Sequence, residues 1–280
     1  MILITTAGKV GAEAARLLAQ RGEPVRVLVR DPEKATALAQ AGAEVAVGDL
    51  EVPSTIDAAM QGITAVVLVS LAIPTQELNV VNSAVGAGVD HVVKITSKAS
   101  ADSPIARRRG QTEIEHGLVA SGLGYTLLRN NAYMQNFLML APAIAKTSSF
   151  GSSTGDGRIG MVDTRDVAAV AVEIAASPAS HKAKTYWPSG PESLSYADAA
   201  RMFSKVLGRP ITFHPLTFEE QKRAMVDVGV PDHIAEMNAQ AVTLFAQGDS
   251  DWINDDVLSI LGRPAHTFEQ FVTDFAPEFS

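Results

Sequence analysis

The chain opens with MILITTAGKVGAEAARLLAQRG (residues 1–22), and this stretch decides the class of fold. Residues 2–4 are all apolar and predict a short buried strand. Apolar residues then recur at helical spacing from residue 10 to residue 18, and the predicted helix ends at Gly22. A turn between such a strand and helix is where α/β proteins bind the phosphates of a dinucleotide, because N–H groups at the helix N-terminus face the anion.

The turn departs from the usual pattern for such a site. That pattern is Gly-x-x-Gly-x-x-Gly, whereas this turn has Thr5-x-x-Gly8-x-x-Gly11. Gly8 would let the backbone approach a pyrophosphate, and Gly11 would let the helix pack close to the strand. A β-branched threonine resists positive φ, so we expect a turn that is either different or strained. Two alternatives stay open: a loop shortened by one residue with Thr6 in that position, or a surface turn that binds nothing. The predicted phosphate loop comprises Thr5, Thr6, Gly8, Lys9, Val10 and Gly11.

The first half of the chain alternates between apolar strands and helices. Five further strands are predicted at 25–29, 44–50, 65–70, 91–97 and 125–130. They are apolar on both faces, which is typical of a parallel sheet covered by helices on both sides. The pattern predicts an α/β, Rossmann-like, doubly wound sheet with a smaller, mainly helical C-terminal lobe for the substrate. We expect residues 1–130 plus about 158–182 to bind the cofactor, and about 131–157 plus 183–280 to form the substrate lobe.

Composition narrows the classes of function. Of the 280 residues, 46% are hydrophobic and 19% are charged, which favours a folded globular chain. The net charge of −8 argues against a nucleic-acid partner. The absence of cysteine excludes disulfides and thiolate sites, and the six histidines are scattered, so we expect no metal. No apolar run has the length of a membrane span, so we expect a cytoplasmic protein without a membrane partner.

The ends of the second and third strands bear on the choice of cofactor. Arg30 ends the second strand, where an NAD enzyme usually has an acid for the ribose hydroxyls. Its guanidinium suits a 2′-phosphate instead, although an ordinary exposed arginine is the alternative. Asp31 is better explained as a helix cap. In the segment Gly48-Asp49-Leu50, the carboxylate could accept a hydrogen bond from the adenine amino group; an ordinary turn is the alternative.

Several segments together resemble one family. They are VRVLVRDPEKA (25–35), VGDL (47–50), VVNSAVGAGVDHVVKITS (80–97), ASGLGYTLLRNNAYMQN (120–136), STGDGRIGMVDTRDVAAVAVEIAAS (153–177) and VLSILGRP (257–264). They resemble the NmrA-like atypical short-chain dehydrogenases, and within them the NADPH-dependent quinone reductases and the triphenylmethane dye reductases. The resemblance implies a Rossmann fold and NADP(H) as cofactor, with NAD(H) left open.

The same resemblance suggests where the chemistry takes place. It places the nicotinamide beside the fourth to sixth strands, which adds Ser70, Leu71, Thr96 and Ser97 to the cofactor-binding residues. The expected catalytic residues are Tyr133, Asn130 and Lys98, and the expected substrate-binding residues are Asn131, Met134, Phe137 and Met161. For the apolar members, packing in the core is the alternative. The chain has no Tyr-x-x-x-Lys pair after the fifth strand, which argues against chemistry that needs a tyrosine proton donor.

Three functions follow from these observations. The first is an NAD(P)H-dependent oxidoreductase that reduces a quinone or a similar planar conjugated aromatic substrate by hydride transfer. The second is a tailoring enzyme for anthraquinone-type aromatic polyketides, which supports ring hydroxylation through a reduced substrate or a partner enzyme. The third is a non-enzymatic regulator that senses NADP. The expected partner is a small aromatic or quinone substrate, and a homodimer is left open.

Overall fold

A computed structural model describes all residues from Met1 to Ser280. The strands are β1 Ile2–Ile4, β2 Val25–Val29, β3 Glu44–Val47, β4 Ala65–Leu68, β5 His91–Thr96, β6 Gly124–Arg129, β7 Ser149–Ser152, β8 Lys184–Tyr186 and β9 Thr212–Pro215. The α-helices are α1 Lys9–Gln20, α2 Thr36–Gln40, α3 Pro53–Ala59, α4 Pro74–Ala87, α5 Ala106–Ala120, α6 Ala141–Thr147, α7 Thr164–Ala176, α8 Tyr196–Leu207, α9 Phe218–Asp227, α10 Asp232–Ala246, α11 Asp256–Leu261 and α12 Phe268–Asp274. Short 3-10 helices span Pro32–Ala35, Met134–Met139, Pro178–His181 and Ala276–Phe279.

The chain divides into two compact units, and the first contains the predicted parallel sheet. This unit comprises residues 1–130, 164–187 and 259–262. Its seven strands are all parallel in the order β3-β2-β1-β4-β5-β6-β8. Strand order reverses between β1 and β4, and α/β proteins of this type bind ligands in the crevice at that point. The prediction of a Rossmann-like doubly wound α/β fold is confirmed.

Helices cover both faces of the sheet because successive strand residues point to opposite sides. On one face, α3, α4 and α5 pack over a core that includes Leu3, Val66 and Leu68. On the other face, α1 packs against α7, and α7 contacts β4 and β5. Most of α7 is buried, which matches its nearly continuous apolar sequence from residue 167 to residue 175. The central strands β1 and β4 are therefore apolar on both faces, as expected for a parallel sheet that helices cover on both sides.

The second unit is mostly helical and has an aromatic core. It comprises residues 131–163, 188–258 and 263–280. The ring of Phe137 lies 5.7 Å from that of Phe150 and 5.5 Å from that of Phe203, distances typical of packed aromatic pairs. Tyr196 belongs to the same cluster, and burial raises its pKa to about 12. A parallel strand pair, β7 and β9, supplements the helices and is absent from the sequence prediction.

The structure contains no helix with both the length and the apolar character that crossing a membrane requires.

Candidate dinucleotide-binding site

A cleft of about 340 Å³ lies in the first unit, where the strand order reverses. The carboxyl ends of β1, β2, β3 and β4 converge there. The cleft is lined by the predicted cofactor residues Thr5, Thr6, Arg30, Gly48, Asp49 and Leu50, together with Ser70 and Leu71 from the loop after β4. It also includes Lys34 and Gln76, which the sequence analysis missed. Residues from four separate strand ends thus form one concave surface.

A larger groove of about 570 Å³ lies between α3 and α4 and is lined by Asp57, Asn79 and Ser83 among others. The Ser83 hydroxyl donates to Asp57 at 2.6 Å, so these two polar groups satisfy each other. The groove also includes Gly62 and Gly86, toward the amino ends of the strands. Ligands of parallel sheets bind at the opposite edge, so we assign the smaller cleft as the candidate site.

Thr5 holds the turn after β1 in place of the missing glycine. Its side chain is only 1% exposed, and its Oγ1 donates to the Val69 carbonyl at 2.8 Å and accepts from the Val69 N–H at 2.9 Å. Thr6 Oγ1 donates to the same carbonyl at 3.0 Å. Positive φ among non-glycine residues occurs at other positions and not at Thr5. The turn therefore differs from one that needs a left-handed residue, and two hydroxyl groups tie β1 to the end of β4.

The two glycines of the loop have different surroundings. Gly8 is the N-cap of α1, with φ −72° and ψ −174°, and a Cβ added there would meet only Thr6 Oγ1, at 3.9 Å. A Cβ at Gly11 would lie 1.9 Å from the Thr6 carbonyl oxygen, which no side chain can tolerate. Gly11 is therefore required for the close approach of α1 to the loop. Gly8 leaves open space in front of the helix N-terminus.

The N-terminus of α1 is electrostatically suited to an anion. No side chain caps this twelve-residue helix, and its first turn has no acidic residue. Lys9 adds a basic side chain at the first helical position, and partial burial lowers its pKa. The partial positive charge of the helix end and its N–H groups are available to a phosphate group. The absence of a side chain at Gly8 and the charge of the helix end both suit an anion at this position.

Arg30 and Asp49 occupy the side of the cleft that β2 and β3 form. Arg30 is exposed at the end of β2. The carboxylate of the next residue, Asp31, accepts from Glu33 N at 3.1 Å and caps a 3-10 helix, as the sequence predicts. Asp49 Oδ1 accepts from Glu51 N at 3.0 Å, which orients the carboxylate in a local turn. Asp49 also lines the cleft.

At the ends of β5 and β6, the predicted polar residues bond to one another. Thr96 Oγ1 donates to the buried Glu115 at 3.1 Å, and Asn130 Nδ2 donates to the Thr96 carbonyl at 3.2 Å. Ser97 and Lys98 follow and are half-buried. Arg129 forms a bidentate pair with Glu115, and its guanidinium lies 5.2 Å from the centre of the Trp187 ring. These bonds join the carboxyl ends of β5 and β6 to α5 in one polar network.

The sequence analysis missed Glu115, the partner of Arg129. Glu115 was not distinguished because it lies in a helix with many charged residues. The sequence does contain a signal for a buried, partnered carboxylate: Glu115 lies on the same face of the helix as the buried apolar residues Ile114 and Leu118.

The remaining predicted residues belong to the second unit. Tyr133 is half-buried and is the N-cap of the 3-10 helix Met134–Met139. The side-chain amide of Asn131 is engaged with backbone groups: Nδ2 donates to the carbonyls of Ser250 and Trp252, and Oδ1 accepts from Ala132 N. Met134, Phe137 and Met161 are buried in the apolar core of this unit. Their roles toward a substrate stay predictions.

These features are those of a dinucleotide-binding α/β protein: an uncapped helix N-terminus follows β1, and a basic residue stands at the end of β2. The chain belongs to the NmrA-like family, whose sequence profile matches residues 1–271. The resemblance found in the sequence is thereby confirmed.

Several known proteins are similar to the chain over nearly its whole length. The NAD(P)H azoreductase of Xenophilus azovorans is 34% identical over 283 residues, which cover 100% of this chain and 99% of the relative. The structure of an NADPH-dependent quinone oxidoreductase from Escherichia coli, complexed with NADPH, is 30% identical with a TM-score of 0.88 and covers 99% of this chain and 100% of its own. The triphenylmethane reductase of Citrobacter sp., complexed with NADP(H), is 26% identical with a TM-score of 0.87 and covers 98% of this chain and 99% of its own.

The chain is an NAD(P)H-dependent oxidoreductase, and its cofactor is NADP(H). This finding goes against the alternative of a non-enzymatic sensor. The comparisons give no support to the alternative of polyketide tailoring.

Proposed function

We propose that the protein reduces quinones or similar planar conjugated aromatic compounds, with NADPH as the preferred donor. The observation that carries the proposal is a combination of two features. The cleft has Arg30 at the end of β2, and the segment that follows β5, residues 98–117, contains no tyrosine that could donate a proton. Bound NADPH would supply the hydride. The similarity to azo, quinone and dye reductases supports an acceptor of this conjugated type.

The polar network after β5 and β6 favours such an acceptor. Thr96, Glu115 and Arg129 are bonded to one another, so their hydroxyl and guanidinium protons are already shared with a carboxylate. An electron-poor conjugated ring takes up a hydride without a strong acid beside it, and the proton can follow from water. A simple ketone needs a proton donor at its oxygen in the transition state. We therefore expect ketones to be poor substrates.

Two basic residues support the preference for NADPH over NADH. Arg30 and Lys34 both line the cleft, and Lys34 lies one turn further along, in the 3-10 helix that Asp31 caps. Lys34 Nζ is 3.6 Å from an Asp31 carboxylate oxygen, so it is partly neutralised in the free protein. A guanidinium binds a phosphate with two parallel hydrogen bonds, which makes Arg30 the main candidate for the 2′-phosphate.

Tyr133, Asn130 and Lys98 are the proposed residues at the reacting end of the cofactor. We propose that Tyr133 stacks on the substrate or hydrogen-bonds to it, and that Lys98 contacts the ribose. Asn130 is held by bonds from its N–H and its Nδ2 to the Thr96 carbonyl, which suits it to shaping the edge of the site. Tyr133→Phe separates the two contributions of the ring, because it removes the hydroxyl and keeps the stacking surface. A homodimer is a further hypothesis, which the mass in solution tests.

The test is a panel of acceptors under nitrogen. Oxidation of NADPH is followed by absorbance with a benzoquinone, a naphthoquinone, an azo dye, a triphenylmethane dye and a simple ketone. We expect turnover with at least one conjugated acceptor, none with the ketone, and one two-electron reduction for each NADPH consumed, so that complete cleavage of an azo dye to two amines would consume two NADPH. NADPH binding without turnover of any conjugated acceptor would overturn the substrate proposal and leave the cofactor assignment intact.

A further inference from the structure

A fully buried ion pair lies beneath one wall of the cofactor cleft. Lys94, in β5, and Glu77, in α4, are both 0% exposed, and Lys94 Nζ is 2.6 Å from Glu77 Oε2. Lys94 Nζ also donates to the Ile95 carbonyl at 2.6 Å. Removing two charges from water is costly, and hydrophobic residues of similar size often stabilise a core as well or better. Stability alone is therefore a weak explanation for this pair.

The other oxygen of Glu77 connects the pair to the cleft. Ser70 Oγ donates to Glu77 Oε1 at 2.6 Å, a short bond to a charged acceptor. The Ser70 oxygen in turn accepts from the Ala72 N–H at 3.1 Å. A continuous chain of contacts thus runs from the ammonium group of Lys94, through the carboxylate and the hydroxyl, to the backbone of residue 72.

That backbone needs support because its conformation is unusual. Ala72 has φ of +60°, a region that residues with a Cβ rarely adopt and that carries a conformational cost. The cost is tolerated only where surrounding contacts hold the backbone. The hydrogen bond to Ser70 Oγ is such a contact, and it needs the Ser70 hydroxyl proton to point away from Ala72. Glu77 Oε1 fixes this orientation by accepting that proton.

The held segment forms part of the site. Ser70 and Leu71 line the cleft, and Leu71 is 82% exposed even though its side chain is apolar. Because the Ser70 hydroxyl has given its one proton to Glu77, it has no proton left to donate to a bound ligand. The segment therefore contributes through the position of its backbone and of the Leu71 side chain.

We propose that Glu77 is a positioning residue for cofactor binding. Through Ser70 it fixes the left-handed backbone conformation of Ala72, and this turn presents Leu71 to the dinucleotide. Lys94 neutralises the charge of the Glu77 carboxylate. This inference rests on the assignment of NADP(H) as cofactor. Glu77 cannot touch the cofactor itself because it is completely buried.

The experiment compares two double variants that both lack the ion pair. Glu77→Gln with Lys94→Met keeps an oxygen that can accept from Ser70, whereas Glu77→Leu with Lys94→Met removes it. Two readouts are used: NADPH affinity by calorimetry, and amide hydrogen exchange of residues 70–73 in the cofactor-free protein. We expect the Gln variant to bind within about twofold of wild type and the Leu variant about tenfold more weakly, because only the Leu variant lacks the acceptor that orients the Ser70 hydroxyl. We expect faster exchange of residues 70–73 only in the Leu variant.

Equal affinities and equal exchange rates in the two double variants would overturn the proposal. Glu77 would then serve only as the partner of Lys94 in the core. If a double variant fails to fold, Ser70→Ala replaces it, because that change leaves both charged residues in place. Faster exchange at residues 71–73 in Ser70→Ala then supports the proposal, and unchanged exchange overturns it. If wild-type protein does not bind NADPH, the cofactor assignment fails, while the exchange result still decides the role of Glu77.

Discussion

Substitutions at the two loop glycines test the proposed phosphate site, because the structure predicts that Gly8 matters for binding and Gly11 for folding. A Cβ at Gly8 enters open space, and its φ of −72° and ψ of −174° suit alanine. Gly8→Ala should therefore leave the fold intact and even stabilise it by about 0.4–1 kcal/mol, since the unfolded chain loses freedom. The added methyl group stands where a pyrophosphate would approach the N-terminus of α1. Loss of one hydrogen bond to a charged group costs about 1.5–3 kcal/mol, so NADPH affinity should fall by about 10-fold to 150-fold.

Gly11→Ala should show the reverse pattern. Its Cβ would lie 1.9 Å from the Thr6 carbonyl oxygen and 3.2 Å from Ile4 Cγ2, so backbone must move by more than 1 Å to reach van der Waals contact. Overpacking of this kind costs about 1–3 kcal/mol or more. Urea unfolding measures both stabilities, and calorimetry with NADPH measures both affinities. Wild-type affinity in Gly8→Ala would refute the placement of the pyrophosphate, and wild-type stability in Gly11→Ala would refute the packing argument.

Three further predictions concern selectivity, loop stability and pH. Arg30→Ala should weaken NADPH binding by about tenfold or more and leave NADH binding nearly unchanged, as measured by nicotinamide fluorescence; an equal loss for both nucleotides would contradict a 2′-phosphate contact. Thr5→Gly restores the usual motif, yet it should lower the free energy of unfolding by about 1–3 kcal/mol in urea melts, because two hydrogen bonds to Val69 are lost: the Val69 N–H loses its acceptor and the Val69 C=O keeps only Thr6. Burial, together with the charges of Lys182 and His181, lowers the pKa of His91 to about 4. The unfolded chain then binds a proton that the folded chain does not between about pH 6.5 and 4, so stability should fall by about 2 kcal/mol from pH 7 to pH 5. His91→Gln should lose this part of the pH dependence, and an identical pH profile in the variant would assign the effect to other groups.

The first unit was largely predictable because its signals are local. Strand β2 has the predicted bounds, 25–29, since its apolar run ends at a charged residue and a capping Asp31. The third strand was predicted to reach residue 50 but ends at Val47. There Gly48 turns the chain, and the Asp49 carboxylate bonds to the backbone of Glu51 instead of allowing the strand to continue. Such competition between a side chain and the sheet is hard to see in an apolar pattern.

The missed features depend on contacts that are distant in the sequence. Strands β7 and β9 pair between Phe150 and Phe213, and neither segment has a clear alternating pattern of its own. The sequence identifies Thr5 as an exception, but the acceptor and donor that explain it belong to Val69. Lys34 was missed although it follows Arg30 by one helical turn, a spacing that could have marked it as a second basic residue of the cleft.

The burial of α7 has a consequence for folding during synthesis of the chain. The first six strands are complete once residue 129 has been synthesised, but the helix that covers β4, β5 and α1 begins only at Thr164. At translation rates of about 5–20 residues per second, an apolar face of the nascent sheet stays uncovered for about 2–7 seconds. The last strand of the sheet, β8, emerges later still. A ribosome-bound chain of this protein therefore exposes apolar surface of the kind that chaperones shield. The core of its N-terminal half is complete only after α7 has been synthesised and has packed onto the sheet.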